Sequence, residues 1–210
     1  AIRWASGELL KYTRDESVHT RERRTLTFAF LPSLERARVK DPEVHWQRIV
    51  VAFGGYVAGV RKLCAWLDEA ELHVDLALVA AEPKPGRDAT QPLSAEAALV
   101  RLVLREYVES GVVRVLEVDD LEGARALADD AAEIGGSDLV WVCSHEWSPA
   151  REVDLGRGRR AQVRQHAIAC DRALPVVWID AGRGPEASPV PTEGWEGWTW
   201  AFRELLRALV

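Results

Sequence analysis

Cysteine is scarce in this chain, and the three present, Cys64, Cys143 and Cys170, show no CxxC spacing. An odd, scattered set excludes a disulfide framework and a zinc knuckle, and it predicts a reduced intracellular protein. Metal ligands are equally thin. The five histidines (His19, His45, His73, His145, His166) include no HExxH and no i, i+4 pair, so no metal site is expected. Positive charge is in deficit: 27 Lys and Arg stand against 33 Asp and Glu, a formal net charge of −6. That excludes duplex nucleic acid as a partner, which needs a basic face. No uninterrupted run of eighteen apolar residues occurs and no secretory signal precedes the first strand. The expectation is a cytoplasmic protein with no membrane contact. A GxGxxG loop is missing too, because Gly54, Gly55 and Gly59 have the wrong spacing.

What is present fits a folded domain. A chain of 210 residues that is 48% hydrophobic can bury a full core. Nine tryptophans are many for this length. Trp46, Trp66, Trp141 and Trp178 fall inside apolar patterns and read as core or groove walls. Trp147, Trp195, Trp198 and Trp200 sit in less regular context, where an indole stacks on a base or fills an interface.

Residues 3–24 are polar with scattered apolar positions, so 1–24 reads as an N-terminal helix or arm and 25–210 as a single α/β domain. Residues 25–31 are β-branched and aromatic and predict the first strand. Asp41-Pro42-Glu43 is a helix start. Apolar residues then recur every three or four positions from Trp46 to Leu67, which predicts a helix over 42–70. A rival reading makes 48–54 a strand ending in a glycine turn. On the helix reading, the glycines are a small-residue packing patch. Strands follow at 73–81, 112–118, 138–143 and 175–180. Helices are predicted at 94–109, 121–134, 158–173 and 195–209, with loops at 82–93 and 181–194. Five strands alternating with helices predict a three-layer domain with a five-stranded parallel sheet. A flavodoxin-like order, 2-1-3-4-5, is the default among Rossmann-like arrangements of five units.

In such sheets ligands bind at the carboxyl ends of strands. Those ends supply Ser33, Glu82, Asp119 and Asp120, Ser144 to Trp147, and Asp180. Asp119 and Asp120 read as an acid or base, or simply as caps of the helix at 121. Gly156-Arg157-Gly158-Arg159-Arg160, with Arg164 close behind, precedes a predicted helix. Exposed N–H groups and guanidiniums there suit a phosphate, so the loop reads as a cradle or as a solvated glycine loop. Ser144, His145 and Glu146 are consecutive and cannot form a triad. Glu146, beside Trp147, fits a ribose hydroxyl or acts as a base. Cys143 ends a buried strand and reads as a core residue.

Asp138-Leu139-Val140, Gly156-Arg157-Gly158, Ala167-Ile168-Ala169 and Pro175-Val176-Val177-Trp178-Ile179 resemble one half of a Rossmann-like group. That group includes nucleoside deoxyribosyltransferases, the SLOG nucleotide-sensor domains and Toll/interleukin-1 receptor-like domains. The resemblance covers residues 138–180. Catalytic members carry a helix glutamate where this chain has Gln162, Val163 or Gln165, so the resemblance implies a ligand binder or a divergent enzyme, in bacterial defence or signalling.

Three functions follow. The first is a sensor of a nucleotide or NAD-derived ligand, held by Ser33, Ser144, His145, Trp147, Gly156, Arg157, Gly158, Arg159, Arg160 and Asp180. The second is a hydrolase or transferase acting on an N-glycosidic or phosphate bond, with Glu146, Asp119 or Asp120 as acid or base. The third is an interaction module that assembles with itself or with a protein partner. Trp195, Trp198, Trp200 and the long first helix motivate it.

Overall fold

The computed structural model describes residues 23–40, 46–67, 71–82, 90–144, 163–170, 174–181, 184–192 and 194–209. Strands β1 (Arg24–Phe30), β2 (Leu72–Val79), β3 (Val113–Val118), β4 (Ser137–Cys143), β5 (Val163–Ala169), β6 (Val176–Asp180) and β7 (Pro185–Ser188) form one sheet. Its order is β3-β2-β1-β4-β5-β6-β7. A 3-10 helix, η1 (Pro32–Arg38), follows β1. The α-helices are α1 (Arg48–Trp66), α2 (Ser94–Val103), α3 (Arg105–Glu109), α4 (Leu121–Ala132) and α5 (Gly194–Leu209).

β1 to β5 are mutually parallel, whereas β6 and β7 run antiparallel to their neighbours. The expected five-stranded parallel sheet is therefore corrected to a mixed sheet of seven. Its parallel part runs 3-2-1-4-5, the order of the Rossmann type rather than 2-1-3-4-5. The fifth parallel strand is also a different segment from the one expected. The helix predicted over 158–173 is overturned, because residues 163–169 are β5. Side chains alternate there: Ala167 and Ala169 enter one core layer and Ile168 the other, as period-2 geometry requires. Between β5 and β6 the chain has too few residues for a crossover, so β6 turns back antiparallel. Residues 181–194, expected as loop, contain β7, with Gly184 at φ 98° in the turn before it. β7 is short and begins with proline, which protects the sheet edge.

The sheet has two core layers. Leu26, Phe28 and Phe30 of β1 and Leu72, Val74, Leu76 and Leu78 of β2 pack with α1, α2 and α5. Ala29, Ala77, Leu139, Trp141 and Ala167 pack with Ala124 and Ala128 of α4. Burying alternate residues on both faces gives strands that read as continuous apolar runs, as for β2.

α1 is one helix through its glycines, so the strand-and-turn reading of 48–54 does not hold. The glycines make room for α5. A Cβ on Gly55 would run into the Phe202 ring, and one on Gly59 would lie 3.2 Å from Leu206 Cδ2. By length and composition α1 can cross a membrane, with a mean hydropathy of 1.3. In this fold Ile49, Phe53, Tyr56, Val60 and Leu63 are packed into the sheet's core. The helix expected from Ser94 to 109 breaks at Leu104 into α2 and α3, and Gly111 follows at φ 80°.

Candidate functional site

Chain direction reverses its progress across the sheet between β1 and β4, so the carboxyl ends of these two strands form the switch point. Ser33 and Ser144 meet there. The Ser144 N–H donates to Ser33 Oγ at 3.2 Å, and Ser144 is buried. No carboxylate stands at either strand end among the described residues. Asp120 caps α4, its Oδ1 accepting from the Gly123 N–H at 2.8 Å. Asp119 and Asp120 are exposed beyond β3, the edge strand, two strands away from β1. Cys143 is buried, as a core thiol would be.

Two expected members lie elsewhere. Because β6 is antiparallel, Asp180 falls at the opposite edge of the sheet from Ser33. Its Oδ2 accepts from the Gln165 N–H and its Oδ1 from the Gly184 N–H, so it ties the β5–β6–β7 meander together. Arg164 donates to Asp138 Oδ1 at 2.7 Å. His145, Glu146, Trp147, Gly156, Arg157, Gly158, Arg159 and Arg160 lie outside the described residues. Among the described residues, no group of three or more His, Cys, Asp and Glu converges as a metal site.

Two buried carboxylates anchor the sheet. Asp138 Oδ2 accepts from Arg24 Nε and Nη2 at 3.0 and 2.9 Å, and its Oδ1 lies 3.3 Å from His166 Nε2. The Asp180 N–H donates to His166 Nδ1, so the ring proton sits on Nε2 and points at Asp138. On the other face Asp75 accepts from Arg114 Nε and Nη2 at 2.7 and 2.8 Å, with His73 Nε2 at 3.0 Å. Asp138 is engaged from β1 and β5, and Asp75 from β3 and by His73 of its own strand, which makes both groups structural clamps.

Burial pushes the Asp75 carboxyl up, but hydrogen bonds from His73 and Arg114, with the charge of those groups, outweigh it and hold the carboxyl below its ordinary value. A folded-state value below the unfolded one adds stability above about pH 4, and that stability drains away as pH falls through the folded value. Asp75→Asn should therefore flatten the pH dependence of unfolding free energy below about pH 4. Urea titrations from neutral pH downward check this; equal slopes for variant and parent would refute it.

The other notable feature is apolar surface along α1. A groove of about 740 Å³ lies between α1 and α5, and a second of about 370 Å³ between α1 and α2. Val50, Trp66, Leu99, Leu102 and Trp195 are each more than half exposed. Trp46 packs edge-on against Trp195 with centroids 5.5 Å apart. Of the other tail tryptophans, Trp198 is buried and Trp200 half-buried, so Trp195 is the one left to a surface role. Contiguous exposed apolar surface marks interaction sites. The long first helix and Trp195 had pointed this way in the sequence. Lys62 and Arg203, which line the α1–α5 groove, and the exposed Val50 and Leu99 had not, although apolar residues outside the α1 core stripe were the available signal.

No curated protein and no solved structure matches this chain. A family model does, described as "ivWA: vWA domain found in the FtsH ternary systems", over residues 1–186. That span is most of the 210 residues, and the chain belongs to this vWA family.

Proposed function

We propose that this vWA domain is a protein-interaction module that holds a partner within an FtsH-linked multi-component system. The observation that carries the reading is the apolar surface on both flanks of α1, supported by a family defined by its place in ternary systems. This reading ranks ahead of a nucleotide or NAD-derived ligand for two reasons. The described part of the segment meant to supply a helix N-terminus is β5, and Arg164 is committed to Asp138.

A specific interface needs about 800 Å² from each partner, and the two grooves with the helix between them offer a surface on which to build it. The chain, mixed with each purified protein of its own FtsH system, should elute as a complex in size-exclusion chromatography with light scattering. Calorimetry should give a Kd of about micromolar or tighter. A chain that stays alone with all of them, while releasing heat with ADP-ribose or NAD, would sink the reading.

A further inference from the structure

Among the described residues, the charged side chains lining the α1–α5 groove are Lys62, Arg203 and Arg207, all cationic. This is a local reversal of sign on a chain of net charge −6. The exposed part of the α1 wall is small, Gly54 and Ala58, while Phe202 and Leu206 of α5 cover Gly55 and Gly59. Trp66 and Trp195 add aromatic walls. α5 runs alongside α1 in the same direction, since Gly55 faces Phe202 and Gly59 faces Leu206. At 1.5 Å per residue α1 is about 28 Å long, or five turns. A trough between two parallel helices, with glycine and alanine below and cations on the rim, has the shape and charge to seat a third helix.

We propose that this groove receives an amphipathic helix of a partner protein, with large apolar side chains at i, i+3, i+4 and i+7 and acidic residues beside that stripe. The proposal rests on the interaction-module reading and names the partner's chemistry. The apolar stripe fills the recessed floor, and the carboxylates meet Lys62 and Arg203. Concavity favours a helix over an anionic lipid surface, because interfacial binding presents apolar side chains outward into the acyl boundary. Arg207 already donates to Glu204, and Lys62 lies over the Trp66 ring at 4.9 Å without a carboxylate partner among the described residues, so Lys62 and Arg203 are the cations to reverse.

The test uses the full chain and two labelled 20-residue helical peptides with one leucine stripe, flanked by Glu in one and by Lys in the other. Fluorescence anisotropy at moderate salt should show the Glu peptide binding at least about tenfold tighter, with the gap narrowing as salt rises. The double variant Lys62→Glu, Arg203→Glu should reverse the preference. Ala58→Trp puts bulk on an exposed floor position and should weaken the Glu peptide at least about tenfold without loss of helical circular dichroism. Three results would each overturn the proposal: equal affinity for the two peptides, indifference to Ala58→Trp, or binding to phosphatidylglycerol vesicles with neither peptide bound. A complex with a system partner that survives Ala58→Trp removes the groove assignment and leaves the interaction module standing. A parent chain that binds no system partner removes both.

Discussion

Asp138→Ala should cost the fold about 3 kcal/mol, a large share of the ~5–15 kcal/mol that holds a domain together. The carboxylate is buried at 2% side-chain exposure and binds Arg24 and Arg164, with His166 alongside. Removing one partner of a buried pair costs about 3–5 kcal/mol, because the remaining charge loses its counter-ion. Here the figure belongs at the low end. Arg24 and Arg164 are 26% and 40% exposed and can turn toward water. His166 has no such escape: it is fully buried, and its Nε2 proton would lose its acceptor. Asp138→Asn keeps one carbonyl oxygen and should lose less than the alanine variant. Urea denaturation of the three proteins gives the ranking. A loss under about 1 kcal/mol for Asp138→Ala would mean that water screens the cluster as it does a surface ion pair.

The same cluster explains what was hard to read. β1, β2 and β4 announce themselves because both faces of these strands are apolar. β5 reads Val-Arg-Gln-His-Ala-Ile-Ala, and its first half is polar. Gln165 and His166 are buried, and Arg164 is half-buried. Arg164 and His166 serve Asp138, and Gln165 accepts from Trp141, all partners more than twenty residues away. A buried polar strand is stable only with its neighbour in place, and local sequence cannot show that neighbour. Glycines ahead of a polar stretch therefore read as a loop entering a helix. Strand direction was hidden for a related reason. Asp180 ends its strand as expected, but the strand runs backward, so the residue faces the wrong edge for a switch-point ligand.

The candidate site divides along the same line. Ser33 and Ser144 meet because β1 and β4 are neighbours, whereas the expected order 2-1-3-4-5 sets the strand at 112–118 between them. Asp120 proved to be a helix cap, a role set by the three residues after it. The apolar grooves were less legible. Periodicity marks which α1 residues face the sheet, but it does not say whether Val50 or Trp66 is covered by another helix. That depends on how closely α5 and α2 approach. The approach of α5 is set in turn by Gly55 and Gly59, so the glycine patch was the nearest sequence clue to the groove.

Trp141→Ala should produce a loss of about 4–8 kcal/mol, as large as the whole stability of a modest domain. The indole is 1% exposed at the middle of β4, and its register neighbours are Ala29 on β1 and Ala167 on β5. Across from it α4 contributes Ala124 and Ala128. One bulky side chain thus fills the space left by the alanines beside and across from it, and alanine there would leave a cavity. Emptying such a site costs about 3–5 kcal/mol. The rest comes from Gln165, whose Oε1 accepts from Trp141 Nε1 at 3.1 Å and is nearly buried. An orphaned acceptor costs about 1–3 kcal/mol. Trp141→Phe separates the two contributions, since it keeps most of the volume and removes the donor. Adding Gln165→Leu to Trp141→Phe should then recover stability, whereas the same change in the parent should cost it. That opposite sign in a double-mutant cycle is what a paired indole and amide require, and two additive losses would show that the hydrogen bond contributes nothing.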